Sequence, residues 1–161
     1  MVNLIEAKES DFKLISDLAV KIWNQHYVPI IGQQQVDYML AKIYNYDSML
    51  EQTQHKQHKF YLIQQNNLTV GFLSVSSSNY QDYFLHKFYI DQDLANNGLG
   101  TQVLQKLESL LPIKTITLTV NRQNFKSINF YFKNGFKIES VEDFNIGDGY
   151  FMNDFVMKKI K

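Results

Sequence analysis

The chain has 161 residues, 45% hydrophobic and 14% aromatic, enough apolar material for one sizeable core, so a single domain over residues 1–161 is expected. Its 16 Lys and Arg balance 16 Asp and Glu with no basic cluster, which argues against a nucleic-acid or membrane-surface partner. It has no cysteine, which excludes disulfides, thiolate metal sites and a cysteine nucleophile; with no leader-like or bilayer-length apolar run, the expectation is a soluble cytoplasmic protein.

Val2 to Ala7 reads as a short strand. Ser10 suits an N-cap with Asp11 in the first turn, and Phe12, Ile15, Leu18, Ala19, Ile22 and Trp23 recur at helical spacing to about Tyr27. Pro29 and Gly32 break that helix. A second helix puts Val36, Met39, Leu40 and Ile43 on one face, and Asp47 is placed to cap a third, ending near Gln54. The polar stretch Gln52 to Lys59 reads mainly as a loop.

From Lys59 the period changes. FYLIQQ, the pair Asn66-Asn67 and LTVGFLSVSS form the pattern of an antiparallel hairpin. A loop over Ser76 to Gln81 leads to an apolar strand, Phe84 to Ile90. A polar loop then ends in Asn97-Gly98-Leu99-Gly100, and an amphipathic helix follows at once. Pro112 closes that region, and Thr115 to Val120 is a β-branched buried strand. Phe125 to Asn134 is helical, with Gly135 at C′. Phe136 to Asn145 and Tyr150 to Lys159 are strands around a Gly147-Asp148-Gly149 turn. The order predicts a mixed α/β sheet with helices on both faces and a right-handed crossover over residues 84–120.

Two motifs carry chemistry. Strand, Gly98-x-Gly100 and helix build an anion cradle, because glycine permits a sharp turn and the first helical N–H groups point outward unpaired. The same residues also suit an Asn-Gly turn that merely starts a helix. There is no Walker Gly-Lys-Ser/Thr and no third glycine of a dinucleotide fingerprint. In the second motif, Asn124, Ser127 and Tyr131 fall at i, i+3 and i+7, so an amide, a hydroxyl and a phenol share one helix face. That face reads either as a ligand contact or as a solvated stripe with a half-buried tyrosine.

Together, FYI…NNGLGTQVL and LTV…N-x-x-S-x-x-FY-x-x-x-GF resemble the GNAT superfamily of acyl-CoA-dependent N-acyltransferases, most clearly over Lys59 to Phe136. LHKFYI and the tail IGDGYFMNDFVMKK are similar to the bacterial spermidine/spermine acetyltransferase branch. The resemblance implies a mixed, mostly antiparallel sheet of about seven strands with a splayed central pair, acetyl-CoA as cosubstrate, no metal, and a small primary amine or polyamine as acceptor. It implies that backbone groups of Phe88, Tyr89 and Ile90 pair with the pantetheine. The pyrophosphate would lie on Ala95, Asn96, Asn97, Gly98, Leu99, Gly100 and Thr101. Asn124 would contact the pantetheine arm, and Tyr131 would sit near the sulfur. Homodimers are common in such families. One departure is Ala95, where the family carries Arg or Gln three residues before the first glycine.

Acetyl transfer to an amine needs a neutral amine, a stabilised oxyanion and a proton for the departing thiolate. A phenol with a reference pKa near ~10 can donate that proton, which suits Tyr131. A backbone N–H near Phe88 could polarise the thioester carbonyl. His86, where relatives carry Glu, is a candidate base; it equally suits a structural histidine bonded to a carbonyl. Asp82 is a lesser candidate. Trp23, His26, Tyr27 and Tyr38 fall where the family's first helices line the acceptor cleft, although Trp23 at helical spacing also suits core. Glu139, Glu142, Asp143, Asp148 and Asp154 form an acidic rim suited to a cationic amine, or a solvated hairpin surface. Competing outcomes are acetylation of a protein or peptide amine, and a non-catalytic acyl-CoA sensor, which Ala95 favours.

Overall fold

The computed structural model describes residues 1–161 and has seven strands in one sheet, ordered β1-β2-β3-β4-β5-β7-β6. The strands are β1 (Val2–Glu6), β2 (Lys59–Gln65), β3 (Leu68–Ser77), β4 (Asp82–Ile90), β5 (Thr115–Asn121), β6 (Lys137–Gly147) and β7 (Tyr150–Ile160). Six α-helices accompany them: α1 (Phe12–His26), α2 (Val28–Ile31), α3 (Gln33–Ile43), α4 (Tyr46–Leu50), α5 (Leu99–Leu110) and α6 (Phe125–Lys133). The chain separates into two compact units. One holds Met1–Ser76 and Lys87–Leu111, the other Ser77–His86 and Pro112–Lys161, so β4 belongs to both.

In the first unit, β1, β2 and β3 are antiparallel neighbours. Asn66 and Asn67 both take positive φ and close the β2–β3 hairpin between Gln65 and Leu68, as the asparagine pair predicts. Consecutive residues Phe60 to Ile63 and Val70 to Val75 are all buried, the mark of strands covered on both faces. The apolar face of α1 supplies Phe12, Ile15, Ala19, Ile22 and Trp23 to the core; α5 supplies Leu99, Val103, Leu104 and Leu107 and runs alongside β1.

The caps differ from the sequence expectation. Ser10 lies inside a 3₁₀ turn, Glu9–Asp11, and the Asp11 carboxylate accepts from the Lys8 N–H at 2.8 Å. Asn45, not Asp47, caps α4, its Oδ1 accepting from the Ser48 N–H at 2.8 Å. A π-helical turn, Glu51–His55, follows α4 where a loop was expected. Pro29 sits in the first turn of the short α2, where its missing N–H costs nothing, and Gly32 ends that helix at φ 85°.

In the second unit, β4 pairs with β5 in parallel over only Asp82↔Thr115, Tyr83↔Ile116 and Phe84↔Thr117. Both strands continue beyond that point without pairing to each other, the splay the resemblance implies. β5 pairs with β7 and β7 with β6, all antiparallel. Ile116, Leu118, Val120, Met157, Ile128 and Phe136 are buried, and Gly135 ends α6 at φ 92°.

Candidate active site

Gly71 shapes the C-terminal half of β4. A Cβ there would lie 2.1 Å from the Tyr89 carbonyl oxygen and 2.9 Å from the Ile90 Cα, so only glycine lets the β3 and β4 backbones approach this closely. A glycine in the interior of a strand was the sequence signal for it. Phe88, Tyr89 and Ile90 are half-buried. The Tyr89 ring packs on Trp23, Tyr27 and Phe72, and Trp23 is itself core at 4% exposure.

The loop after β4 is anchored by Asp91, which sequence reasoning missed. Asp91 is 2% exposed. Its carboxylate accepts from Lys21 Nζ at 2.7 Å, from Gln25 Nε2 at 3.0 Å and from the Asp93 N–H at 3.0 Å. Its backbone N–H donates to Val70, and its carbonyl accepts from the N–H groups of Leu94 and Ala95. Burial alone would raise this carboxyl's pKa; the bonds from Lys21, Gln25 and the Asp93 amide outweigh it and hold the group below the usual range. A single aspartate in a polar run gives no sign of partners some seventy positions upstream.

The anchored loop delivers the Gly98 turn. Gly98 is left-handed at φ 84°, and a Cβ added there would meet nothing, so backbone conformation rather than space requires glycine. Leu99 is buried and donates its N–H to Asn96, and Gln102 donates to Gly98. The N–H groups of Gly100 and Thr101, in the first turn of α5, have no acceptor in the protein. They are donors at the positive end of a 12-residue helix. Asn97 and Ala95 are exposed, and Asn96 reaches Gln65 at 3.3 Å.

The second unit holds the other expected residues. Asn124 is 2% exposed and caps α6, its Oδ1 accepting from the Ser127 N–H at 3.3 Å. Tyr131 is half-buried, its ring 5.3 Å from those of both Phe130 and Phe136. His86 lies on β4 with its ring 4.7 Å from that of Phe84. Asp82 is fully engaged: Asn79 Nδ2 donates to one oxygen at 2.9 Å and Thr115 Oγ1 to the other at 2.8 Å. These two bonds hold its carboxyl below the usual range and make it a poor base. The acidic rim is smaller than its sequence suggests. Asp143 pairs with Arg122 at 2.8 Å, from outside the rim segment, and Asp154 is 2% exposed, with burial pushing its pKa up to about 6.

In the first unit, Tyr38 accepts from Lys42 at 3.3 Å, and the His26 and Tyr27 rings are 5.0 Å apart. No helix is long and apolar enough to cross a membrane, and no group of three or more His, Asp or Glu is placed to hold a metal ion.

A strand ending at a glycine-opened helix N-terminus, followed by a buried strand and a tyrosine-bearing helix, is matched by the family model of the acetyltransferase (GNAT) domain over residues 27–149. The chain belongs to the GNAT acetyltransferase family and is an acyltransferase. Among curated relatives, a spermidine N(1)-acetyltransferase of Thermoplasma acidophilum is 23% identical over 156 residues, covering 92% of this chain and 91% of the relative. Among solved structures, the PaiA N-acetyltransferase of Thermoplasma acidophilum, in complex with coenzyme A, superposes with a TM-score of 0.81 at 21% identity, covering 100% of this chain and 99% of that one. A GCN5-related N-acetyltransferase of Rhodopseudomonas palustris also gives 0.81, at 15% identity over 99% of this chain and 95% of the other. The seven-stranded mixed sheet is the fold of these enzymes.

Proposed function

We propose that this chain is one N-acetyltransferase domain that moves an acetyl group directly from acetyl-CoA to a small primary amine. The observation that carries the reading is the loop anchored by Asp91, which presents the unmatched N–H groups of Gly100 and Thr101 beside left-handed Gly98. These backbone donors suit a pyrophosphate without the side chain that Ala95 lacks. The coenzyme A in the PaiA structure and the activity named for the spermidine N(1)-acetyltransferase relative support the same reading.

In this reading acetyl-CoA pairs along Phe88, Tyr89 and Ile90, and Asn124 meets the pantetheine arm. The neutral amine attacks the thioester carbonyl, and a backbone N–H near Phe88 stabilises the oxyanion. The carbon–sulfur bond breaks, and Tyr131 gives its phenolic proton to the leaving thiolate. His86 takes the proton released by the amine; Asp82, with both oxygens engaged, does not serve. The products are the N-acetylated amine and CoA.

The test is a thermal shift with acetyl-CoA followed by a thiol-release assay on wild type and Tyr131→Phe. Acetyl-CoA should stabilise both. The substitution should lower kcat by about 100-fold with acetyl-CoA affinity little changed. Equal kcat values would remove Tyr131 as the acid. Absence of a shift with wild type would sink the acetyl-CoA reading.

A further inference from the structure

Lys87 stands immediately before the strand stretch assigned to acetyl-CoA, on the same face of β4 as Tyr89. It is half-buried, and its ammonium lies 5.3 Å from the centroid of the Phe60 ring. Its hydrogen-bond acceptor is the neutral Gln52 Oε1, at 2.6 Å, and it has no carboxylate partner. Gln52 comes from the π-helical turn and is itself 6% exposed. Its amide nitrogen donates to Ile43 O at 2.8 Å and Ser48 Oγ at 3.2 Å, which aims the oxygen at Lys87.

The charges around Lys87 are of its own sign. Burial, and then the charge of Lys56, depress Lys87 to about 8; burial, and then the charges of Lys87 and Lys56, depress His58 to about 4. At neutral pH the site therefore holds a cation, a neutral imidazole and no anion. The rings of Trp23 and Tyr44, in edge contact with each other and with Tyr89 and Phe72 respectively, carry the Nε1–H and O–H groups. Both groups are buried and face each other, the Trp23 N–H toward the Tyr44 oxygen. What Lys87 lacks is a charged acceptor.

We propose that Lys87 binds the carboxylate of the acceptor, so that the substrate is a small molecule carrying both an amine and a carboxylate, of the amino-acid class, rather than a polyamine. This rests on the acetyltransferase reading above. A single ammonium donor, whose present acceptor is the Gln52 oxygen, matches a monoanion; a phosphate would call for more donors than the site offers. A polyamine would instead bring further positive charge to a lysine that already lacks a counter-ion, at the cost of like-charge repulsion.

Matched acceptor pairs test it: lysine against cadaverine and ornithine against putrescine, with wild type, Lys87→Met and Lys87→Arg. Wild type should favour the carboxylated member of each pair by about tenfold or more in kcat/KM. Lys87→Met should abolish that ratio, and Lys87→Arg should retain most of it. A wild-type preference for the diamines, or a ratio unmoved by Lys87→Met, overturns the proposal. The acetyl-CoA thermal shift checks that each variant is folded. A second readout needs no turnover: lysine should raise the Tm of the wild-type protein and not that of Lys87→Met. If CoA is released with no acceptor, the transferase reading fails, and this Tm difference still decides the carboxylate site; no lysine shift in wild type overturns it.

Discussion

Asp91 and Lys87 bracket the same three residues of β4, and they are satisfied in opposite ways. The aspartate has two side-chain donors, one of them a lysine ammonium, and a backbone amide on its carboxylate. The lysine has one neutral amide oxygen. Desolvating a charge is costly, and the cost is recovered only through good partners. Asp91 recovers it inside the protein and so fixes the loop. Lys87 does not, which leaves an interaction open to a ligand. The contrast separates a charge that builds a site from one that reads what enters it.

Asp91→Ala should have the largest effect, because it releases Lys21 and Gln25 and lets the loop before Gly98 move. We expect a loss of roughly 2–4 kcal/mol in urea unfolding, together with weaker acetyl-CoA binding. An unchanged midpoint with tight binding would show that the anchor is dispensable. Gly71→Ala tests the segment between the two charges. Its methyl group must displace the Tyr89 carbonyl, so stability should fall by about 1–3 kcal/mol and turnover with it; a crystal structure showing β4 unmoved would refute the cause. The smallest effect concerns Lys87 and pH. Its folded pKa near 8 lies below its ordinary value of 10.5, so between these values the unfolded chain binds more protons than the native one. Stability should therefore rise with pH across that window, with the penalty present in full below pH 8. Lys87→Met should flatten that rise in denaturation curves taken from pH 7.5 to 10.5.

Local features were readable because their causes are local. Asn66 and Asn67 announce a hairpin since asparagine tolerates positive φ, and Gly98 announces the helix entry for a related reason. Helical spacing placed Ile15, Ala19 and Ile22 in the core, where they lie. Caps were less legible: Asn45 and Asp47 are both good capping residues two positions apart, and only the backbone at Asn45 has the extended ψ that a cap requires. The least legible features were those made by distance in sequence. Lys21 meets Asp91 across seventy positions, and Gln52 meets Lys87 across thirty-five. Arg122 cancels part of a rim that looked acidic because its own segment holds no base. Charge reads as surface in a one-dimensional pattern, and its partners are supplied by the fold.

The division of β4 between the two units has a consequence for synthesis. Neither unit is a contiguous stretch, since the chain passes from the first to the second, back, and out again. On a ribosome the first unit cannot be completed until Leu111 has emerged, with its α5 the last piece delivered. The residues from Ser77 to His86 must wait for β5 and β7 to arrive. A translating chain therefore carries β4 with its neighbour β3 already made but with α5 and β5 still to come, which leaves one edge of β4 in need of protection from premature pairing.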